Sequence, residues 1–347
     1  MKIVVLAGGT STERDVSISS GTEVTKALRA KGHRAILADV FFGVGKVTGD
    51  EQEDFPSEYD IEKAAKDMSA QTALVEEELR SRRCFFGHGI LPLCEAADAV
   101  FLALHGANGE DGRIQATFDL LGIPYTGSNY LGSALAMDKE MAKKVFREEG
   151  VPTPYGIVVR KGQDILDTDR NSVGLPCVVK PSRGGSSVGV SIANTQEEYR
   201  MALDEGFAYE DVLIVEQYIK GREFSVGVVD GVPYPVIEIA PIQGFYNYHN
   251  KYQAGSTIET CPADLSPELT ARMQEVAKNA YEALGLSSYG RIDIMMDEQE
   301  RMFALEANTL PGMTPTSLLP QEAAALGMDF GELCEKLIAV SLGEDRK

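Results

Sequence analysis

The sequence predicts an α/β protein of more than one domain, and three observations carry that prediction. The chain opens as strand, glycine turn, helix and strand. Short apolar strands then alternate with helical patterns toward the C-terminus, and 347 residues, 44% of them hydrophobic, exceed what one core normally holds. A formal net charge of -20 disfavours nucleic acid and anionic membrane surfaces as partners, because the long-range field repels both. Any anionic ligand must therefore be drawn in by local cations. Five cysteines without C-x-x-C spacing read as reduced thiols. The run Met1 to Ala7 is too short for a secretory leader, and no run approaches the ~20 apolar residues that cross a bilayer, so the expected location is the cytoplasm.

Taken in order, residues 2 to 7 form a buried parallel strand, Gly8-Gly9-Thr10-Ser11 the turn, Val16 to Lys31 a helix ending at Gly32, and Arg34 to Val40 a second strand. The glycine spacing is not G-x-G-x-x-G, so a dinucleotide fingerprint is absent. Residues 43 to 83 are polar and acidic, helix and loop with no legible chemistry. A third strand over 97 to 104 ends in the polar loop His105 to Gly112, at the strand end where open α/β sheets bind ligands. A helix over Ser133 to Glu149 carries Lys139 and stops at Gly150, and the stiff Val151-Pro152-Thr153-Pro154 marks a boundary. The strand Cys177 to Pro181 delivers Lys180 to the loop Ser182 to Gly189. Its glycines and successive N–H groups suit a phosphate, although it is not a Walker sequence. A flexible linker is the alternative for that loop.

The strand Asp211 to Ile219 is expected to pair with Glu223 to Val229 across Lys220-Gly221-Arg222 as a hairpin. Residues 242 to 262 form a long aromatic and basic loop, and helices follow at 266 to 284 and 330 to 342. Between those helices, Tyr289 to Met296 and Arg301 to Ala307 alternate apolar and polar side chains around Asp297-Glu298-Gln299-Glu300, a second hairpin that sets Asp293 beside Glu306. Arg291, Asp293, Glu306 and Asn308 then supply one cation and three hard oxygen ligands. Such a set suits magnesium on a phosphate chain, and the lack of Cys or His argues against zinc. Taken alone, the same residues also fit a charged surface turn.

Together these segments resemble the ATP-grasp superfamily and, within it, the D-alanine–D-alanine ligases, over essentially the whole chain. The resemblance is carried by Gly8-Gly9-Thr10-Ser11-Thr12-Glu13-Arg14, His105-Gly106 with Gly109-Glu110-Asp111-Gly112, Met137-Asp138-Lys139 and the Lys180 to Gly189 run. Asn250-Lys251-Tyr252, Gly290-Arg291-Ile292-Asp293 and Glu306 to Leu318 complete it. It implies an ATP-grasp fold behind a Rossmann-like N-terminal α/β domain. Residues 1–127 would form that substrate domain, 128–215 the central subdomain with the glycine loop, and 216–347 the C-terminal subdomain with the lid and magnesium site. The implied reaction joins two D-alanines at the expense of ATP through a D-alanyl phosphate, for peptidoglycan precursor synthesis, in a homodimer.

By the same resemblance, Lys139 and Lys180 would hold the α- and β-phosphates, with Ser187 also on the nucleotide. Glu216, Gln217 and Glu223 would bind its adenine and ribose side; at Gln217 some members carry lysine. Asp293, Glu306 and Asn308 would ligate two Mg²⁺ ions, Mn²⁺ being an alternative. Arg291 and the Gly312 N–H would stabilise the oxyanion. Glu13 would take the first ammonium group with His105 nearby, Ser317 and Leu318 the second carboxylate, and Lys251 the γ-phosphate. Ser186 and Tyr252 would join Glu13 to fasten the glycine loop and lid. Two rivals are a same-fold ligase forming D-alanyl-D-serine or D-alanyl-D-lactate, and a non-catalytic nucleotide-binding module.

Overall fold

The computed structural model describes residues 1–162, 173–185, 188–241 and 257–343. In the first sheet β1 (Lys2–Ala7) lies at the centre, with α1 (Arg14–Ala30) leading to β2 (Arg34–Asp39) and, later, β3 (Ala99–Leu102). Both neighbours run parallel to β1, which is why its side chains are apolar on both faces and buried. Residues 43–83 and the segment after them fold as short helices over Glu51–Asp54, Ile61–Ala70, Thr72–Leu74, Val75–Ser81 and Ile90–Glu95. Phe55 and Met68 from this stretch are buried in the same core.

The glycine turn after β1 has a specific cause. Gly8 has φ +79°, and a Cβ there would fall 2.7 Å from Arg14 Nη1 and 2.8 Å from Asp39 Oδ2. Glycine at that position lets Arg14 and Asp39 meet as a buried ion pair under the turn. Arg14 also donates to Met68 O at 3.0 Å and Thr72 Oγ1 at 3.2 Å, so the helical segment over the sheet helps orient the start of α1.

Following α2 (Arg113–Leu121), the helix expected over 133–149 is two helices, α3 (Tyr130–Met137) and α4 (Lys139–Glu148). Asp138 between them is extended and caps α4, its side chain accepting the Met141 N–H at 3.2 Å. Aspartate prefers this cap to a helix interior, so Lys139 heads a helix rather than lying within one.

The second sheet is antiparallel: β4 (Gly156–Arg160), β5 (Cys177–Pro181) and β6 (Ser191–Ala193), then α5 (Gln196–Tyr209) and β7 (Val212–Gln217), in the order β4-β7-β5-β6. The hairpin expected over 211–229 does not form, because β7 is a central strand already paired on both edges. β8 (Gly221–Val229) instead enters the third sheet, where a Cβ at Gly221 would lie 1.9 Å from Met296 O. Residues 218–220 thus carry the chain between sheets. A boundary at 215/216 falls inside β7.

The third sheet adds β9 (Ile237–Pro241), β10 (Thr257–Thr260), β11 (Tyr289–Asp297) and β12 (Met302–Asn308), in the order β10-β9-β8-β11-β12, with Val232–Pro233 beside β8. Strand β10 lies inside the stretch expected to be loop throughout. Met273, Ala277 and Ala280 of α6 (Pro267–Ala283) pack on Ile292, Ile294 and Ala304. α7 (Leu318–Ala325) leads to α8 (Phe330–Ser341), whose Leu333 and Leu337 join the first core and bring the end of the chain back onto α1. All five cysteines are free thiols.

Candidate functional site

The hairpin β11–β12 forms as the alternation predicts, with Asp293 opposite Glu306 and Arg291 opposite Asn308. A register shift between Asp293 and Ile294 breaks the ladder beside this pair, a device that re-aims side chains at sites. The period of two puts all four residues on one face. Arg291 donates from Nε and Nη2 to the two Asp293 oxygens at 2.9 Å each, Ser225 Oγ donates to Oδ1 at 2.7 Å, and Asn308 Nδ2 to Oδ2 at 3.0 Å. Lys139 Nζ reaches Glu306 Oε2 at 3.2 Å and donates to Gly184 O at 2.7 Å. Each acidic member is thus met by a protein cation. With only carboxylate and amide donors, held beside cations that a divalent ion would displace, the set fits magnesium.

The glycine loop is fastened to the head of α4. Arg183 donates from Nε and Nη2 to Asp138 Oδ2 at 2.9 and 2.8 Å, and the Lys139 N–H donates to Ser182 O at 2.9 Å. Burial alone would raise the Asp138 carboxyl, but Arg183 and the Met141 N–H hold it below the usual range. A Cβ at Gly185 would come within 2.8 Å of Glu13 Oε2, so Glu13, buried at the start of α1, lies against this loop.

His105 is a clasp as well as a lining residue. Its Nδ1 meets Leu310 O at 3.1 Å and its Nε2 meets Ser20 Oγ at 3.3 Å, while Ser20 Oγ accepts the Met313 N–H at 3.3 Å. A carbonyl oxygen only accepts, so Nδ1 carries the hydrogen of its bond to Leu310. The loop over residues 310–313, including Gly312, is thereby held against the N-terminal sheet. Ser317 opens α7 and accepts the Thr314 N–H at 3.1 Å, and Leu318 is its buried first residue. Thr316, Ser317 and Leu318 at this helix start line the larger cavity, and a helix N-terminus leaves N–H groups without intrahelical partners, which suits an anion.

Two cavities meet here. One, of about 620 Å³, is lined by Glu13, His105, Arg291, Gly312, Ser317 and Leu318; the other, of about 430 Å³, by Lys180, Glu216, Gln217, Glu223, Asp293 and Met295. Lys139, Gly184, Gly185 and Glu306 line both and form the wall between them. The structure therefore brings together every candidate among the described residues. Ser186, Ser187, Lys251 and Tyr252 lie outside those residues.

The nucleotide-side candidate Glu216 has an unexpected setting. Its carboxylate is buried between Lys180 Nζ, 2.6 Å from Oε1, and Lys143 Nζ, 2.7 Å from Oε2. Burial would raise that carboxyl, but the two ammonium groups hold it below its usual range. Both oxygens are committed to lysines rather than turned to a base. Lys143 escaped the sequence reading because a lysine in a charged helix reads as solvated, although its position four residues from Lys139 places both on one helix face. Glu259, paired with Gln321 Nε2 in the larger cavity, was likewise hidden in a stretch read as loop.

Comparison with known proteins decides the family. The family model for the D-ala D-ala ligase N-terminus matches residues 2–128, and that for the D-ala D-ala ligase C-terminus matches residues 145–339. The chain belongs to the D-alanine–D-alanine ligase family. It is 41% identical to the D-alanine–D-alanine ligase of Pediococcus pentosaceus, over 97% of each chain. Against that of Lacticaseibacillus casei it is 43% identical, over 97% of this chain and 95% of the relative. A crystal structure of the Bacillus anthracis D-alanine–D-alanine ligase superposes with a TM-score of 0.75 at 34% identity, covering 99% of this chain and 97% of that one. The same enzyme complexed with ATP gives 0.73 at 33%. The fold is that of the ATP-grasp ligases.

Proposed function

We propose that this protein is an ADP-forming ligase that joins two D-alanines into D-alanyl-D-alanine for peptidoglycan precursor synthesis. The observation that supports it most is the shared wall: a nucleotide cavity and a small-molecule cavity meet at Lys139, Gly184, Gly185 and Glu306, beside the Asp293–Glu306 pair. A phosphoryl group leaving one cavity enters the other there. The non-catalytic module accounts for neither that wall nor the donor set.

A carboxylate is a poor electrophile, so the first D-alanine must be phosphorylated on its carboxylate oxygen, releasing ADP. The second amine then attacks the acyl carbon, loses a proton and expels phosphate. Lys139 and Lys180 hold the phosphate chain; Glu13 takes the first ammonium group; Ser317 and Leu318, at the head of α7, receive the second carboxylate. Arg291 and the Gly312 N–H face the oxyanion of the tetrahedral intermediate. Asp293, Glu306 and Asn308 would hold two Mg²⁺ ions, or Mn²⁺ in their place, which neutralise charge on the transferring phosphoryl group when bound. Ser187, Gln217 and Glu223 complete the nucleotide contacts in this reading, while Ser186, Lys251 and Tyr252 close the site so that the acyl phosphate meets no water.

Domain bounds of 1–127, 128–215 and 216–347 go with this reading, with the second break moved to residues 218–220, where the chain passes from the second sheet to the third. No helix among the described residues is long and apolar enough to cross a membrane, and dependence on ATP supports a cytoplasmic location. The homodimer rests on the family resemblance, and sedimentation at micromolar concentration checks it.

ADP release measured with Mg²⁺ and a panel of D-amino acids tests the proposal. D-alanine should stimulate release and outcompete D-serine and D-lactate as acceptor; no stimulation, or a product that is mostly D-alanyl-D-serine or the lactate ester, overturns it. Asp293→Ala and Glu306→Ala should each lose turnover by at least ~10³-fold with unchanged circular dichroism. A rate near the wild type removes the metal assignment.

A further inference from the structure

Lys143 lies on α4 with 2% of its surface exposed, and a lysine is almost never buried so completely unless it is paired. Its Nζ donates to Glu216 Oε2 at 2.7 Å and to Thr153 Oγ1 at 2.9 Å. Lys180 takes the other Glu216 oxygen at 2.6 Å and lines the smaller cavity, whereas Lys143 does not reach it. Three charges therefore share one buried cluster, and their sum is one positive charge. Without Lys143 the carboxylate would cancel Lys180, and the cation facing the nucleotide would be neutralised at short range in a poorly screened setting.

We propose that Lys143 is a positioning residue for nucleotide binding: by occupying one oxygen of Glu216 it leaves a net positive charge on the Lys180 side of the cluster, directed at the nucleotide's phosphates. The charged groups that face Lys143 are Glu216 from β7, Lys180 from β5 and Arg147 from its own helix. Burial is the main reason its ammonium group is lowered to about 8; Glu216 opposes this, and Lys180 and Arg147 add to it. A bound polyanion favours the charged form, so nucleotide binding should take up a proton near that pH.

The test is calorimetric titration of the purified protein with ADP and Mg²⁺. Lys143→Met should weaken ADP binding about tenfold. The double variant Lys143→Met with Glu216→Gln, which restores the positive charge on Lys180, should recover most of that loss. A merely structural role would not be rescued by removing a second buried partner. Wild-type affinity should fall between pH 7 and 9.5, and that of Lys143→Met should stay flat.

Equal ADP affinity in Lys143→Met and wild type, a double variant as weak as the single one, or a wild-type affinity independent of pH over that range would each overturn the role. If Lys143→Met does not fold, the wild-type pH series and the double variant still decide. Lys143 has this role only if the smaller cavity holds the nucleotide. A wild-type protein that binds no ADP overturns that assignment, whereas one that binds ADP without the Lys143 dependence overturns only the positioning role of Lys143.

Discussion

Glu322 on α7 is fully buried beneath the Arg291–Asp293 pair, and its two oxygens fare differently. Oε2 accepts the Gly227 N–H at 2.6 Å, while Oε1 has no hydrogen-bond partner among the described residues. Burial drives the carboxyl well above its ordinary value of 4.5; the Gly227 N–H and Arg291 oppose this, and Asp293 adds to it. The folded protein thus keeps a proton that the unfolded chain gives up. Stability from this group is fully present below the unfolded value and is lost as pH rises toward the folded one. Glu322→Gln keeps an acceptor for Gly227 and needs no proton, so it should melt about 2 °C higher than wild type at pH 8, with the difference gone near pH 4.5. Melting curves at the two pH values check this. An equal or lower melting temperature at pH 8 would sink the idea of a buried neutral acid.

At the scale of elements, α7 owes its position to a missing side chain. Gly227 on β8 lies opposite Arg291, and a Cβ there would come 2.4 Å from Leu319 Cδ1 and 2.5 Å from Glu322 Oε2. Gly227→Ala should therefore cost about 1–3 kcal/mol and push the head of α7 out of place. Its denaturant midpoint should drop, and the KM for the second D-alanine should rise more than that for ATP. Equal rises in both constants would separate α7 from the acceptor carboxylate. The β11–β12 hairpin that supports this face was legible in sequence because its alternation and its turn are both local. The break at Asp138 and the sheet partner of β8 were not. An aspartate becomes a cap only where the chain turns away from the preceding helix, and β7 refuses β8 because distant strands already occupy both its edges. The candidate residues were legible as types, whereas the Lys143–Glu216–Lys180 cluster depends on three elements far apart in sequence.

Over the whole molecule, a formal charge of -20 opposes an anionic substrate whose binding cations are matched by carboxylates to within one net charge. Lys139 meets Glu306, Arg291 meets Asp293, and Lys180 shares Glu216 with Lys143. At a distance, a nucleotide therefore feels the acidic surface more than the lysines, and the field reaches it only where salt permits. The screening length falls from ~30 Å at 0.01 M to ~8 Å at 0.15 M salt. Association of the magnesium nucleotide should accordingly speed up by a few-fold across that range, the reverse of the usual steering of ligands by opposite charge. Binding of free Mg²⁺ to the Asp293–Glu306 face should weaken over the same interval, since the same field attracts a cation. Stopped-flow association rates and metal titrations at the two salt concentrations measure both. A nucleotide rate that falls with salt would mean that the cations of the inner wall, and not the acidic exterior, govern the approach.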